Sequence, residues 1–182
     1  MGAKGQSFLS HGFPVLCAAG LLLPVAFGQA VKAKVSSVAP TVLFVCEHGA
    51  AKSVIAAAYF DKLAKDQHLP HRAAFRGVNP DATLSSVAEK GLKQDGIDTS
   101  GWKPARVTQK DVDEASRIVT LGCVLPAGTH VASKVTDWSD IPSPSQSYEV
   151  AREAIKKRVQ RLVHDLEKKE LDREKNNRAK IP

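Results

Sequence analysis

The sequence predicts an α/β fold with a parallel sheet of four strands flanked by helices, on three observations. Short apolar, β-branched runs alternate with helical patterns through residues 41–170. The first run, Val42-Leu43-Phe44-Val45, is continuously apolar, as expected for a strand buried on both faces. The length of 182 residues suits one domain. With 43% hydrophobic and 25% charged residues, disorder, collagen and coiled coil are excluded as descriptions of the whole.

Taken in order, the strand at Val42–Val45 runs into CEHGAAKS and then a helix with Val54, Ile55, Ala58, Tyr59 and Leu63 on one stripe. A second strand is expected near Arg72–Arg76. Asn79-Pro80-Asp81 opens a helix with Leu84, Val87, Ala88 and Leu92 inward, closed at Asp95-Gly96. A short helical turn over Gln109–Ala115 precedes a strand at Arg117–Leu121, and a fourth strand is expected near Val135–Trp138. After the loop SDIPSPSQS, a last helix starts near Ser147 and sets Ala151, Ile155, Val159, Leu162 and Leu166 on one face. Past Leu171 the charged tail is expected to fray. Aromatics are only 5%, so Val, Leu, Ile and Ala must make most of the core, with Trp102 and Trp138 as cover for the sheet.

Residues 1–30 have the layout of a secretory signal. Lys4 supplies the basic start, FPVLCAAGLLLPVAF is apolar and uncharged, and Gly28-Gln29-Ala30 offers small residues before a cut after Ala30. The run is shorter than the roughly 20 residues of a membrane span and contains Pro14 and Pro24. A buried helix of the domain is the alternative, and a lipoprotein reading of Cys17 suffers from Pro14. The expected organisation is therefore a signal over 1–30, a linker over 31–40, the α/β domain over 41–170 and a charged flexible tail over 171–182. The protein is expected to be exported to the periplasm or secreted if the signal is real, and cytoplasmic otherwise. The net charge of +7 is concentrated at the end, where residues 151–182 hold 11 basic and 6 acidic side chains. No basic patch is interleaved with aromatics, so no nucleic-acid partner is expected. His68, His71, His130 and His164 show no ligand spacing with Cys or carboxylates, and neither a metal nor a cofactor is expected.

The chemistry is concentrated in Cys46-Glu47-His48-Gly49-Ala50-Ala51-Lys52-Ser53. A cysteine ending a buried strand, followed by a tight loop of small residues and a helix, aims backbone N–H groups at an anion. The same field favours a thiolate, the nucleophilic form. The alternative for Cys46 is a small buried hydrophobe. Once a signal is removed, Cys46 and Cys123 remain, and an oxidising compartment would make a structural disulfide the default.

On these residues the sequence resembles the low-molecular-weight protein tyrosine phosphatase superfamily, especially its arsenate reductase-like branch. The family loop is C-x5-R-S, one form reading VLFVCVHNAGRS; here TVLFVCEHGAAKS matches the strand, Cys46, His48, Ala50 and Ser53. The resemblance continues through Arg76-Gly77-Val78-Asn79-Pro80, Gly96-Ile97-Asp98-Thr99-Ser100 and Ile118-Val119-Thr120-Leu121, over roughly residues 41–168. It implies a sheet in the order 2-1-3-4 and Cys46 as the nucleophile attacking phosphorus or arsenic. It further implies Ser53 as hydrogen-bond partner of the thiolate, and the amides of Glu47, His48, Gly49, Ala50, Ala51, Lys52 and Ser53 as the cradle of the oxyanion. Cys123 follows the third strand, where the reductase branch carries a redox cysteine; Gly122 shifts it by one, and a plain buried cysteine is the alternative. In that strand order both cysteines follow neighbouring strands about 4.8 Å apart, so a pair is feasible.

Three departures matter. Lys52 replaces the family Arg, keeping charge and losing the planar two-pronged grip, which is expected to weaken turnover more than ground-state binding. Ser143 stands where the family's Asp-Pro supplies the acid that protonates the leaving group, a loss of typically 10²–10⁴-fold; Asp140 or Asp137 is the candidate substitute. Glu47 follows the nucleophile directly and is expected to point outward, while Gly49 suits a left-handed backbone. His48 is expected to have a role in loop structure. Three functions remain open at this point. The first is an arsenate reductase-like thiol enzyme with a thiol reductant. The second is a phosphatase acting on phosphorylated substrates through Cys46. The third is a catalytically impaired protein that binds phosphate or arsenate.

Overall fold

In a computed structural model the chain divides into Met1–Ser36 and Ser37–Pro182. Residues 39–131 and 134–180 are described here; the expected signal, nearly all of the linker and Cys17 lie outside them. Four parallel strands form one sheet, β1 (Thr41–Cys46), β2 (Arg72–Gly77), β3 (Ala115–Thr120) and β4 (Val135–Asp137), in the order β2-β1-β3-β4. The helices are α1 (Lys52–Asp66), α2 (Ser86–Gln94), α3 (Gln109–Glu114) and α4 (Tyr148–Arg178). This is the predicted fold and strand order.

The period-two alternation of β1 divides the core into two layers. Val42, Phe44 and Cys46 face α1 and α4, where Phe44 meets Phe60 at 5.8 Å and Trp138 at 5.9 Å between ring centroids. Leu43 and Val45 face the opposite side, against Val107, Val112 and Ile118. Because β1 lies between β2 and β3, its C-terminal end is flanked by both neighbours, the place where parallel sheets form their ligand crevices. Trp102 stacks on Phe75 at 5.5 Å, as sheet cover.

Three boundaries differ from expectation. Asn79-Pro80-Asp81 does not open α2; the chain stays in a strap until Ser85, because Asn79, Asp81 and Ser85 give their N–H groups to the carbonyls of the Cys46 loop. Starting later, α2 turns Val87 outward while Leu84, Ala88 and Leu92 stay buried. The strand expected from Arg117 begins at Ala115, straight from the end of α3. The tail expected to fray after Leu171 stays helical to Arg178, with side-chain pairs Arg173–Glu170, Lys175–Asp172 and Arg178–Glu174 three or four residues apart along the helix. On α4 the buried stripe uses Val163, with Leu162 half-buried beside it.

Candidate active site

The loop from Cys46 to Ser53 turns its carbonyls one way and its N–H groups the other. The carbonyls of Cys46, Glu47, His48 and Ala50 accept from the N–H groups of Val78 (3.1 Å), Asn79 (2.8 Å), Asp81 (3.0 Å) and Ser85 (2.9 Å). A trans peptide directs the following N–H opposite to its carbonyl. The amides of Glu47, His48, Gly49 and Ala51 therefore point away from the 78–85 strap. None of the N–H groups from Glu47 to Ser53 donates to an acceptor among the described residues. Ala51, the N-cap of α1, offers no side chain to cap the helix, so the orphan donors of its first turn stay open as well. This is a ring of donors at the positive end of a helix, suited to an anion with several oxygens.

Two glycines permit the close packing. Gly49 has φ +61, and a Cβ there would lie 2.6 Å from the Gly77 nitrogen. A Cβ on Gly77 would in turn lie 2.8 Å from the nitrogen of Gly49. Backbone thus rests on backbone where β2 meets the loop. Arg106 braces the strap from the other side by donating to the Val78 carbonyl at 2.5 Å.

The predicted side chains gather at this ring. Cys46 is 5% exposed, with its Sγ 3.1 Å from the Ser53 hydroxyl. Glu47 points outward as expected, accepting from the Asn79 amide at 2.7 Å. His48 meets Asp81 at 3.2 Å on the exposed rim of the loop. Lys52 sends its ammonium to the Ile141 carbonyl (3.2 Å), tying α1 to the loop after β4.

Cys46 and Cys123 are both free thiols. The Cys123 thiol lies 3.4 Å from the carbonyl of Val45, the residue before the nucleophile, and Leu121 donates to that carbonyl too at 2.8 Å. Burial pushes the Cys123 thiol up to about 11; a backbone hydrogen bond from Leu121 opposes this, and negative charge at Cys46, Glu47 and Asp137 adds to it. Cys123 also lines an open groove of about 1000 Å³ with Glu47, Leu125 and Asp137.

The expected substitutes for the missing acid are both committed elsewhere. Asp137 accepts from Thr120 at 2.7 Å, and hydrogen bonds from Ser139 and Thr120 hold its carboxyl below the ordinary value, so it carries no proton to give. Asp140 forms an ion pair with Arg158. Ser143 bonds to Ser145 at 2.8 Å. Sequence reasoning passed over two contributors: Arg106 and the contact at Gly77. A glycine closing a strand beside a glycine-containing loop was the available signal for the last.

A strand-ending thiol thus sits under a ring of backbone donors at the crevice end of a parallel sheet in the order β2-β1-β3-β4. The family model for low molecular weight phosphotyrosine protein phosphatase matches residues 41–125. An arsenate reductase from Archaeoglobus fulgidus is 30% identical, with a TM-score of 0.56, over 68% of this chain and 98% of its own. The chain belongs to the low-molecular-weight phosphotyrosine protein phosphatase family, in which arsenate reductases are among its structural neighbours. An arsenate reductase in its phosphate-binding state shares the fold at 22% identity and a TM-score of 0.60, over 70% of this chain and 98% of that one. So does a low molecular weight protein tyrosine phosphatase from T. tengcongensis, at 21% identity and a TM-score of 0.57, over 71% and 99%. No curated protein matches the chain.

Proposed function

We propose that the protein is an arsenate reductase-like thiol enzyme that holds a tetrahedral oxyanion in the Cys46–Ser53 loop, with Cys46 as nucleophile and Cys123 as the second thiol. The observation that carries this reading is the Cys123 sulfur at 3.4 Å from the Val45 carbonyl, one residue from the nucleophile. The missing acid supports it as well. The oxygen that leaves a phosphate ester carries no proton and needs one from the enzyme, whereas arsenate loses an oxygen that already carries its own.

The chemistry balances in two steps. The Cys46 thiolate forms an S–As bond while an As–O bond breaks; hydroxide leaves and takes a proton from solvent, and arsenic stays pentavalent. The Cys123 thiolate then attacks the Cys46 sulfur. The S–As bond breaks with its electron pair on arsenic, which departs as trivalent arsenite, and the two sulfurs become a disulfide. An external dithiol returns them to thiols.

The test is arsenite formation from arsenate with a dithiol reductant, beside turnover of an activated aryl phosphate and a Cys46→Ser control. Arsenite formed by the parent, and by neither Cys46→Ser nor Cys123→Ser, is the expected result. Aryl phosphate turnover without arsenite would make the protein a phosphatase. Thermal stabilisation by phosphate with neither activity would make it an oxyanion-binding protein.

A further inference from the structure

A second cleft, of about 690 Å³, lies between the free edge of the sheet and α4. Its walls carry Arg117 of β3 and Arg158, Arg161, Lys168 and Lys169 of α4. Arg158 is committed, lying 5.8 Å over the Trp138 ring and pairing with Asp140. The other four cations have no hydrogen-bond or ion-pair partner among the described residues, and every Asp and Glu of the sequence lies within those residues.

The carboxylates of the cleft do not neutralise them. Asp137 is engaged by Thr120. Asp165 and Asp172 are well exposed, with His164 at 3.9 Å and Lys175 at 4.0 Å as their neighbours. Along α4, Arg161 and Lys169 are about 12 Å apart, so the positive charge is a stripe rather than a point. Beside the stripe runs β4, the edge strand, with Val135, Thr136 and Asp137 all exposed. Its outer N–H and C=O groups face no strand among the described residues, and such an edge pairs readily with an extended chain.

We propose that this cleft docks an acidic, extended peptide segment of a partner protein, its backbone paired along β4 and its carboxylates set against Arg117, Arg161, Lys168 and Lys169. Charge complementarity selects an anionic occupant, and the strand edge selects one with a peptide backbone. A nucleic acid is disfavoured because Trp138, the aromatic residue of the cleft, is 6% exposed and covered by Arg158, leaving no face on which a base can stack.

The experiment uses the full chain and a fluorescein-labelled peptide of alternating Val and Glu, read by fluorescence anisotropy. Saturable, salt-sensitive binding is expected. Arg161→Glu with Lys169→Glu should weaken it at least about tenfold, while Lys90→Glu with Lys93→Glu on α2, the same change in net charge, should leave it within about twofold. N-methylation of alternate peptide nitrogens should also weaken it about tenfold, since it removes strand donors. Thermal melting checks the fold, and Arg161→Gln with Lys169→Gln replaces the reversal pair if that pair does not fold. Absence of binding, equal losses in the two charge-matched pairs, undiminished binding of the methylated peptide, or tighter binding of an oligonucleotide of equal charge would each overturn the proposal.

Discussion

Gly77→Ala is a direct test of how the anion loop is held. The residue stands at the end of β2, and its N–H and C=O bond to Ala105 and Val107, so alanine asks for nothing new from the backbone hydrogen bonds. The difficulty is space. The added Cβ would lie 2.8 Å from both the Gly49 nitrogen and the His48 carbonyl carbon, atoms of main chain that no rotamer change can move aside. To reach an ordinary contact the loop has to retreat by about 0.7 Å. That retreat stretches the bonds from Val78 and Asn79 that orient the loop carbonyls, and it moves the opposed amides off the anion. Overpacking of this kind costs about 1–3 kcal/mol of stability. Losing two hydrogen bonds to a charged ligand costs roughly 3 kcal/mol or more, about a hundredfold in Kd. Calorimetric titration of phosphate into parent and variant, with circular dichroism to confirm folding, reads the effect. A folded variant that binds phosphate within threefold of the parent would refute the account of the loop.

Three further outcomes are expected. Cys123→Ser should keep phosphate binding within about twofold and lose arsenite release; in the parent, single-turnover release should rise about tenfold per pH unit from pH 7 to 9, because the thiol titrates at about 11. Lys52→Met removes the bond to the Ile141 carbonyl and the cation at the loop, so phosphate affinity should fall about tenfold or more while amide exchange quickens across residues 138–144. Asp95→Asn should cost about 2–3 kcal/mol by chemical denaturation, since one carboxylate takes Tyr59 at 2.6 Å, Tyr148 at 2.7 Å and Arg152 at 2.9 Å. Burial pushes that carboxyl up, but these bonds outweigh it and hold it below 3.8; its contribution is complete above that value and lost as pH falls through the lowered one, so the gap to the variant should close only in strong acid.

The fold was legible because β1 carries its message locally: a run buried on both faces, followed at once by a cysteine and small residues, fits one place in a parallel sheet. The loop was legible for the same reason, since each of its atoms lies within eight consecutive residues. What escaped was set by residues distant in sequence. The late start of α2 follows from Asn79, Asp81 and Ser85 giving their amides to another segment, and no local propensity encodes that competition. The helical tail escaped because its apolar stripe ends at Leu166, leaving only charge pairing to carry the pattern onward. The fates of Asp137 and Asp140 were unreadable in principle. Both were acids near the right loop, and only Thr120 and Arg158, brought in from β3 and α4, show that each carboxylate is already engaged.

The two sulfurs stand in opposite surroundings, and under the proposed function that opposition sets the order of events. Cys46 lies beneath open N–H donors and beside the Ser53 hydroxyl. Cys123 gives its hydrogen to a carbonyl, and burial first, then the charges of Glu47 and Asp137, favour it as a neutral thiol. A neutral thiol beside the anion loop neither competes for the oxyanion nor attacks prematurely. It becomes useful only when a neighbouring sulfur turns electrophilic, which happens once Cys46 is bonded to a pentavalent centre that draws electrons from it. The same high value that keeps Cys123 idle also makes its thiolate intrinsically more nucleophilic when it forms, because nucleophilicity rises with basicity. A slow, pH-limited second step after a fast first one is therefore the kinetic signature this pair of environments imposes.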